Sequence, residues 1–127
     1  MVYKVLIVDD SKLARMAIAK ALSALYPDWT RLEASDADGA LEVVKRTAVD
    51  ITLLDFNMPH RDGLSLVADL RKLHPTMPVA VISANHQDEI VSRTQSLGAV
   101  FLPKPLTEKV LAEFLTSADR QLKASRS

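Results

Sequence analysis

Four short aliphatic runs limit what this chain can fold into: VLIV (Val5–Val8), ITLL (Ile51–Leu54), VAVI (Val79–Ile82) and AVFL (Ala99–Leu102). They are continuous rather than alternating, and rich in β-branched residues. Strands read this way when both faces of a parallel sheet are covered, because side chains then meet apolar surroundings on either side. A fifth stretch, TRLEA (Thr30–Ala34), alternates and reads as an edge strand.

The segments between the runs carry helical spacing. Ala14, Ile18, Ala21, Leu22 and Leu25 form one stripe, and Leu66, Val67, Leu70 and Leu73 another. Val110, Leu111, Phe114, Leu115, Ala118 and Leu122 form the widest stripe, which predicts a firmly packed last helix. Asp36 and Thr107 stand where N-caps of the second and fifth helices belong. The stretch from His86 to Leu97 has only Ile90, Val91 and Leu97 as large apolar residues, which predicts a loosely held, exposed helix. Alternation of strand and helix through five units predicts right-handed crossovers and a doubly wound α/β sandwich. No repeat or linker interrupts the 127 residues, so one domain is expected over 1–127, packed from about Tyr3 to Leu122.

Several function classes drop out. The chain has no cysteine, which removes disulfides and thiolate metal sites and fits a reducing cytosol. The opening MVYKVLIVDD has a four-residue aliphatic run before two acids, whereas a membrane span needs about 20 apolar residues. A cytoplasmic protein without a membrane anchor is therefore expected. Sixteen basic and sixteen acidic residues give a formal charge of zero, and the basic residues are scattered. Direct nucleic-acid binding is not expected, because it requires a basic face against phosphates.

In an open parallel sheet, ligands bind beyond the carboxyl ends of the strands. The residues at those ends are Asp9 and Asp10, Asp55, Ser83, and then Pro103, Lys104 and Pro105. Singly, each has an ordinary reading: Asp10 or Ser11 caps a helix, Ser83 sits in a turn, and Lys104 is a solvated lysine. Together they crowd three carboxylates, whose repulsion would raise their pKa values without a countercharge. A hard divalent cation such as Mg²⁺ relieves that repulsion and takes one or two carboxylates. The glycines (Gly39, Gly63, Gly98) fit neither GxxxxGK[ST] nor GxGxxG. Ser83 lies outside a GxSxG elbow, and His60, His74 and His86 have no distinctive context. His74, next to Pro75, reads as a helix-end residue. The remaining chemistry is phosphoryl transfer to Asp55, with metal neutralising two anions and Lys104 and Ser83 holding phosphoryl oxygens.

With VDD (Val8–Asp10), LLDFNMP (Leu53–Pro59) followed by Gly63, Ser83–Ala84 and FLPKP (Phe101–Pro105), the chain resembles a CheY-like response-regulator receiver domain over nearly its whole length. The resemblance implies a (βα)5 flavodoxin-like fold with strand order 2-1-3-4-5. It implies Asp55 as phospho-acceptor, and Mg²⁺ (Mn²⁺ as a substitute) on Asp10, Asp55 and the Asn57 backbone carbonyl, with Asp9 acting through water. Lys104 would pair with the phosphoryl group, next to a cis Lys104–Pro105 peptide. Ser83 and Phe101 would be the switch pair, repacking the face of the fourth helix, fifth strand and fifth helix. Asn57 and Asn85 occupy the positions that tune dephosphorylation, and both are neutral amides that cannot act as carboxylate bases. Phe101 lacks the hydroxyl of the tyrosine often found at its position, so an output contact through that hydroxyl is lost.

The implied partners are a histidine kinase or phosphotransfer protein and a protein target or output domain. The implied oligomeric state is a monomer or a weak phosphorylation-dependent dimer. Such a domain is no enzyme beyond its own phosphorylation and dephosphorylation. Two alternatives stand beside this: the receiver part of a longer regulator with a DNA-binding or enzymatic output, and a metal-dependent phosphatase with Asp55 as nucleophile. Haloacid-dehalogenase phosphatases want a second aspartate two residues on, where this chain has Asn57.

Overall fold

The computed structural model describes residues 2–126. The expected domain span of 1–127 includes Met1 and Ser127, which lie outside the described residues. Strands and helices alternate: β1 (Lys4–Val8), α1 (Lys12–Leu25), β2 (Thr30–Ala34), α2 (Ala37–Arg46), β3 (Ile51–Asp55), α3 (Gly63–Leu73), β4 (Val79–Ser83), α4 (Asp88–Ser96), β5 (Val100–Pro103) and α5 (Glu108–Arg126). The strands form one parallel sheet in the order β2-β1-β3-β4-β5.

The continuous apolar runs follow from a core on both faces of the sheet. Val5 and Ile7 pack with Leu22 of α1 and with Leu111, Phe114 and Leu115 of α5. Their neighbours Leu6 and Val8 point the other way, toward Ala40 and Val44 of α2 and Leu66, Val67 and Leu70 of α3. β2 is an edge strand, as its alternation predicts. AVFL needs a correction. β5 is the opposite edge, Val100 is 45% exposed and Phe101 only partly buried, so this run is not covered on both faces.

The helix ends follow their caps. Ser11 Oγ accepts from Ala14 N–H, Asp36 from Gly39 N–H, Asp62 from Ser65 N–H and Thr107 Oγ1 from Val110 N–H. His74 is the C-cap of α3. α4 buries only Ile90 and Thr94, and its N-cap Gln87 makes no side-chain capping bond, which fits the loosely held helix expected there. Its C-terminal end is fastened instead. Arg71 of α3 donates to the carbonyls of Leu97 (2.7 Å), Gly98 (2.7 Å) and Met77 (2.6 Å). Among the described residues no helix is long and apolar enough to cross a membrane.

Candidate functional site

The buried polar side chains divide into two kinds. Thr52 and Thr94 are internal and satisfied: Thr94 Oγ1 donates to the Ile90 carbonyl at 2.7 Å, and Thr52 Oγ1 to Met77 Sδ at 3.5 Å. Asp9, Asp55 and Ser83 instead stand at the carboxyl ends of β1, β3 and β4.

Asp55 is the last residue of β3, 5% exposed, and pairs in register with Ile82, one residue before Ser83. Its Oδ1 lies 2.7 Å from Lys104 Nζ. Beyond this ion pair, no other polar group among the described residues reaches that buried oxygen. Lys104 is itself fixed to the end of β4, since its N–H donates to the Ser83 carbonyl at 3.0 Å. The Lys104–Pro105 peptide is cis.

Asp9 and Asp10 leave β1 directly toward Asp55. Ligand atoms of Asp9, Asp10 and Asp55 all lie within 4.8 Å of one another. Asp9 and Asp55 are buried, whereas Asp10 is exposed. Burial, and then the neighbouring Asp55 carboxylate, hold the Asp9 carboxyl above its ordinary pKa, against the Ser11 N–H and Lys104, which act the other way. Three clustered carboxylates therefore face one ammonium, and the buried Asp55 oxygen has Lys104 as its polar partner among the described residues. This donor set fits a hard divalent cation, which prefers carboxylate and carbonyl oxygens.

The loop after Asp55 depends on a glycine. A Cβ on Gly63 would stand 2.9 Å from the Asp55 carbonyl oxygen and 2.9 Å from Phe56 Cα, so only glycine lets α3 start this close to β3. Gly63 N–H donates to the Phe56 carbonyl at 2.7 Å, and Asn57 forms a bridge with Asp62. The loop therefore turns back on itself and carries Asn57 just beyond Asp55. His60 takes a left-handed φ of 68°, and Arg61 binds Ser65 and Asp69 on α3.

Ser83 is fully buried, and its Oγ accepts from Asn85 N–H at 2.9 Å. Asn85 Oδ1 in turn accepts from Gln87 N–H at 3.1 Å. Phe101 pairs in register with Val81 and meets His86 edge-on, with ring centroids 5.6 Å apart. The structure thus gathers Asp9, Asp10, Asp55 and Lys104. It sets Ser83 and Asn85 on the adjoining strand end and Phe101 further along the edge strand.

A groove of about 560 Å³ between α1 and the start of α5 opens beside Asp9 and Lys104. Arg15, under the β1–α1 turn, also touches the site through the Asp9 carbonyl. It has no sequence signal for that contact, because a single arginine on a helix ordinarily reads as solvated.

The model of the response regulator receiver domain matches residues 5–116. The chain is 37% identical over 99 residues to the glycerol metabolism activator of Pseudomonas putida, covering 77% of this chain and 45% of that one. It is 41% identical over 106 residues to a protein-glutamate methylesterase/protein-glutamine glutaminase of Thiobacillus denitrificans, covering 80% of this chain and 29% of that one. It therefore spans less than half the length of these curated relatives. Among solved structures, the chemotaxis response regulator CheY4 of Vibrio cholerae superposes with a TM-score of 0.82 at 25% identity, covering 93% of this chain and 99% of that one.

Proposed function

Because the chain belongs to the response regulator receiver domain family, we propose that Asp55 accepts a phosphoryl group from a histidine kinase or phosphotransfer protein. The observation that carries this reading is the buried Asp55 carboxylate, within reach of both Lys104 and the Asp9–Asp10 pair.

One carboxylate oxygen of Asp55 attacks phosphorus, the bond from phosphorus to the donor imidazole nitrogen breaks, and that nitrogen keeps the electron pair. The product is an acyl phosphate on Asp55. Asp10, Asp55 and the Asn57 carbonyl would hold Mg²⁺, or Mn²⁺ in its place, with Asp9 beside them. Bound there, the cation neutralises charge between the carboxylate and the incoming phosphoryl group. Lys104 moves its ion pair from the carboxylate to a phosphoryl oxygen, and Ser83 Oγ holds another. When Ser83 gives up its bond from Asn85 and shifts inward, Phe101 turns into the space released. The sparse packing of α4 lets the face of α4, β5 and α5 reorganise at low cost. Asn57 and Asn85 flank the phosphoryl group and tune its loss to water.

The chain 1–127 is then one receiver domain, cytoplasmic, acting by docking a protein partner rather than nucleic acid or membrane. It works as a monomer or a weak phosphorylation-dependent dimer, with no enzymatic turnover beyond its own phosphoryl group. The much longer relatives favour a second reading, in which the same domain regulates an attached output domain; the length of the gene decides between them. With excess small phosphodonor and Mg²⁺, an acid-stable, base-labile adduct of one phosphoryl group per chain is expected. Rapid multiple turnover would instead mark Asp55 as the nucleophile of a phosphatase.

A further inference from the structure

Arg15 lies on the first turn of α1, and its side chain is only 16% exposed. Nη1 donates to the Asp9 carbonyl oxygen at 2.6 Å, and Nε donates to Glu33 Oε1 at 2.9 Å. Glu33 belongs to β2, opposite Ile7 in the β1–β2 register, so the anchor stands on the strand beside the one that delivers Asp9. The other groups of Asp9 are already fixed. Its N–H donates to the Ala34 carbonyl at 3.1 Å, and its Oδ1 accepts from Ser11 N–H at 2.9 Å. The peptide between Asp9 and Asp10 remains, and its oxygen is the atom Arg15 holds. A planar peptide turns as one unit. Fixing that oxygen therefore fixes ψ of Asp9 and φ of Asp10, and with them the Cα–Cβ directions from which both carboxylates are presented.

We infer that Arg15, anchored by Glu33, is a positioning residue that aims Asp9 and Asp10 at the divalent cation. This inference rests on the reading that Asp9, Asp10 and Asp55 hold Mg²⁺. The planar fork of a guanidinium grips a carbonyl and a carboxylate in one fixed geometry, which a lysine ammonium does not reproduce. On charge alone, removing a positive side chain cannot weaken the binding of a cation. Removing a positioning contact does weaken it, so the sign of the change separates the two roles.

The test is calorimetric titration of the metal-free chain with Mg²⁺, beside thermal melting without metal. Arg15→Ala is expected to lower Mg²⁺ affinity roughly ten-fold, the scale seen when an outer partner of a metal ligand is lost. Arg15→Lys is expected to show a similar loss, since it keeps the charge and removes the fork. Arg15→Ala combined with Glu33→Gln should bind no more weakly than Arg15→Ala, because Glu33 acts through Arg15. Unchanged or tighter binding by Arg15→Ala, whatever its melting temperature, would overturn the inference and leave Arg15 as a tie between α1 and β2. If Arg15→Ala does not fold, wild-type affinity in Arg15→Lys overturns it equally. A wild-type chain that binds no Mg²⁺ overturns the metal reading and the inference together. Binding that Asp10→Ala abolishes and Arg15 does not affect overturns the inference alone.

Discussion

Lys104 Nζ stands 2.7 Å from Asp55 Oδ1, and the two residues meet from the ends of separate strands, Lys104 just after β5 and Asp55 at the end of β3, with β4 between them. The lysine bridges that gap because its backbone is tied to Ser83 at the end of β4. Its side chain is 38% exposed while Asp55 is buried, so the ammonium caps the carboxylate from the solvent side. This pair connects the chemistry at Asp55 to the strand that carries Phe101.

Replacing Lys104 tests that connection. Lys104→Ala leaves Asp55 and the acidic pair in place, so phosphorylation persists, while the pull on β5 is lost. Phosphoryl incorporation should fall less than capture of a partner by the phosphorylated or beryllofluoride-treated chain. Equal loss of both would place Lys104 in the transfer step alone.

Asp9 provides a pH test in the metal-free protein. Its carboxyl is held above its ordinary pKa, so the native state binds the proton more tightly than the unfolded state does. By linkage, this contribution to stability is fully present below the unfolded carboxyl value and is lost as pH rises through the raised native value. Asp9→Asn removes the titration. The variant should therefore be the more stable at neutral pH in chelator, with the advantage shrinking toward acid, while its Mg²⁺ affinity falls. A stability difference independent of pH, measured by denaturant unfolding, would contradict this.

Gly63 provides a steric test. In Gly63→Ala the new methyl group meets Leu54 Cδ1 at 2.8 Å and backbone atoms of Asp55 and Phe56 at 2.9 Å, and backbone cannot step aside as a side chain can. Overpacking of this kind costs about 1–3 kcal/mol. Because the displaced atoms belong to Asp55 and its neighbour, phosphorylation should slow beyond what lost stability explains. A variant that melts lower yet phosphorylates at the wild-type rate would show that the loop tolerates the shift.

These contacts also mark where the sequence was readable. Asp55 stood out because an apolar run ended in an acid, and the sheet topology turned four strand ends into one site. The weak α4 followed from too few apolar residues to bury. AVFL misled because an apolar run reads the same at the centre and at the edge of a sheet, and only the pairing of β5 exposes Val100. Arg15–Glu33 and the Arg71 carbonyl contacts were illegible for another reason. They join residues up to 27 positions apart through side chains whose partners exist only after the strands have paired.

The central claim is that Asp55 is the phosphoryl acceptor, and intact-chain mass spectrometry tests it most directly. With Mg²⁺ and excess small phosphodonor, the wild-type chain should gain one base-labile phosphoryl group, and Asp55→Asn should gain none. Incorporation by Asp55→Asn at the wild-type rate would contradict the assignment.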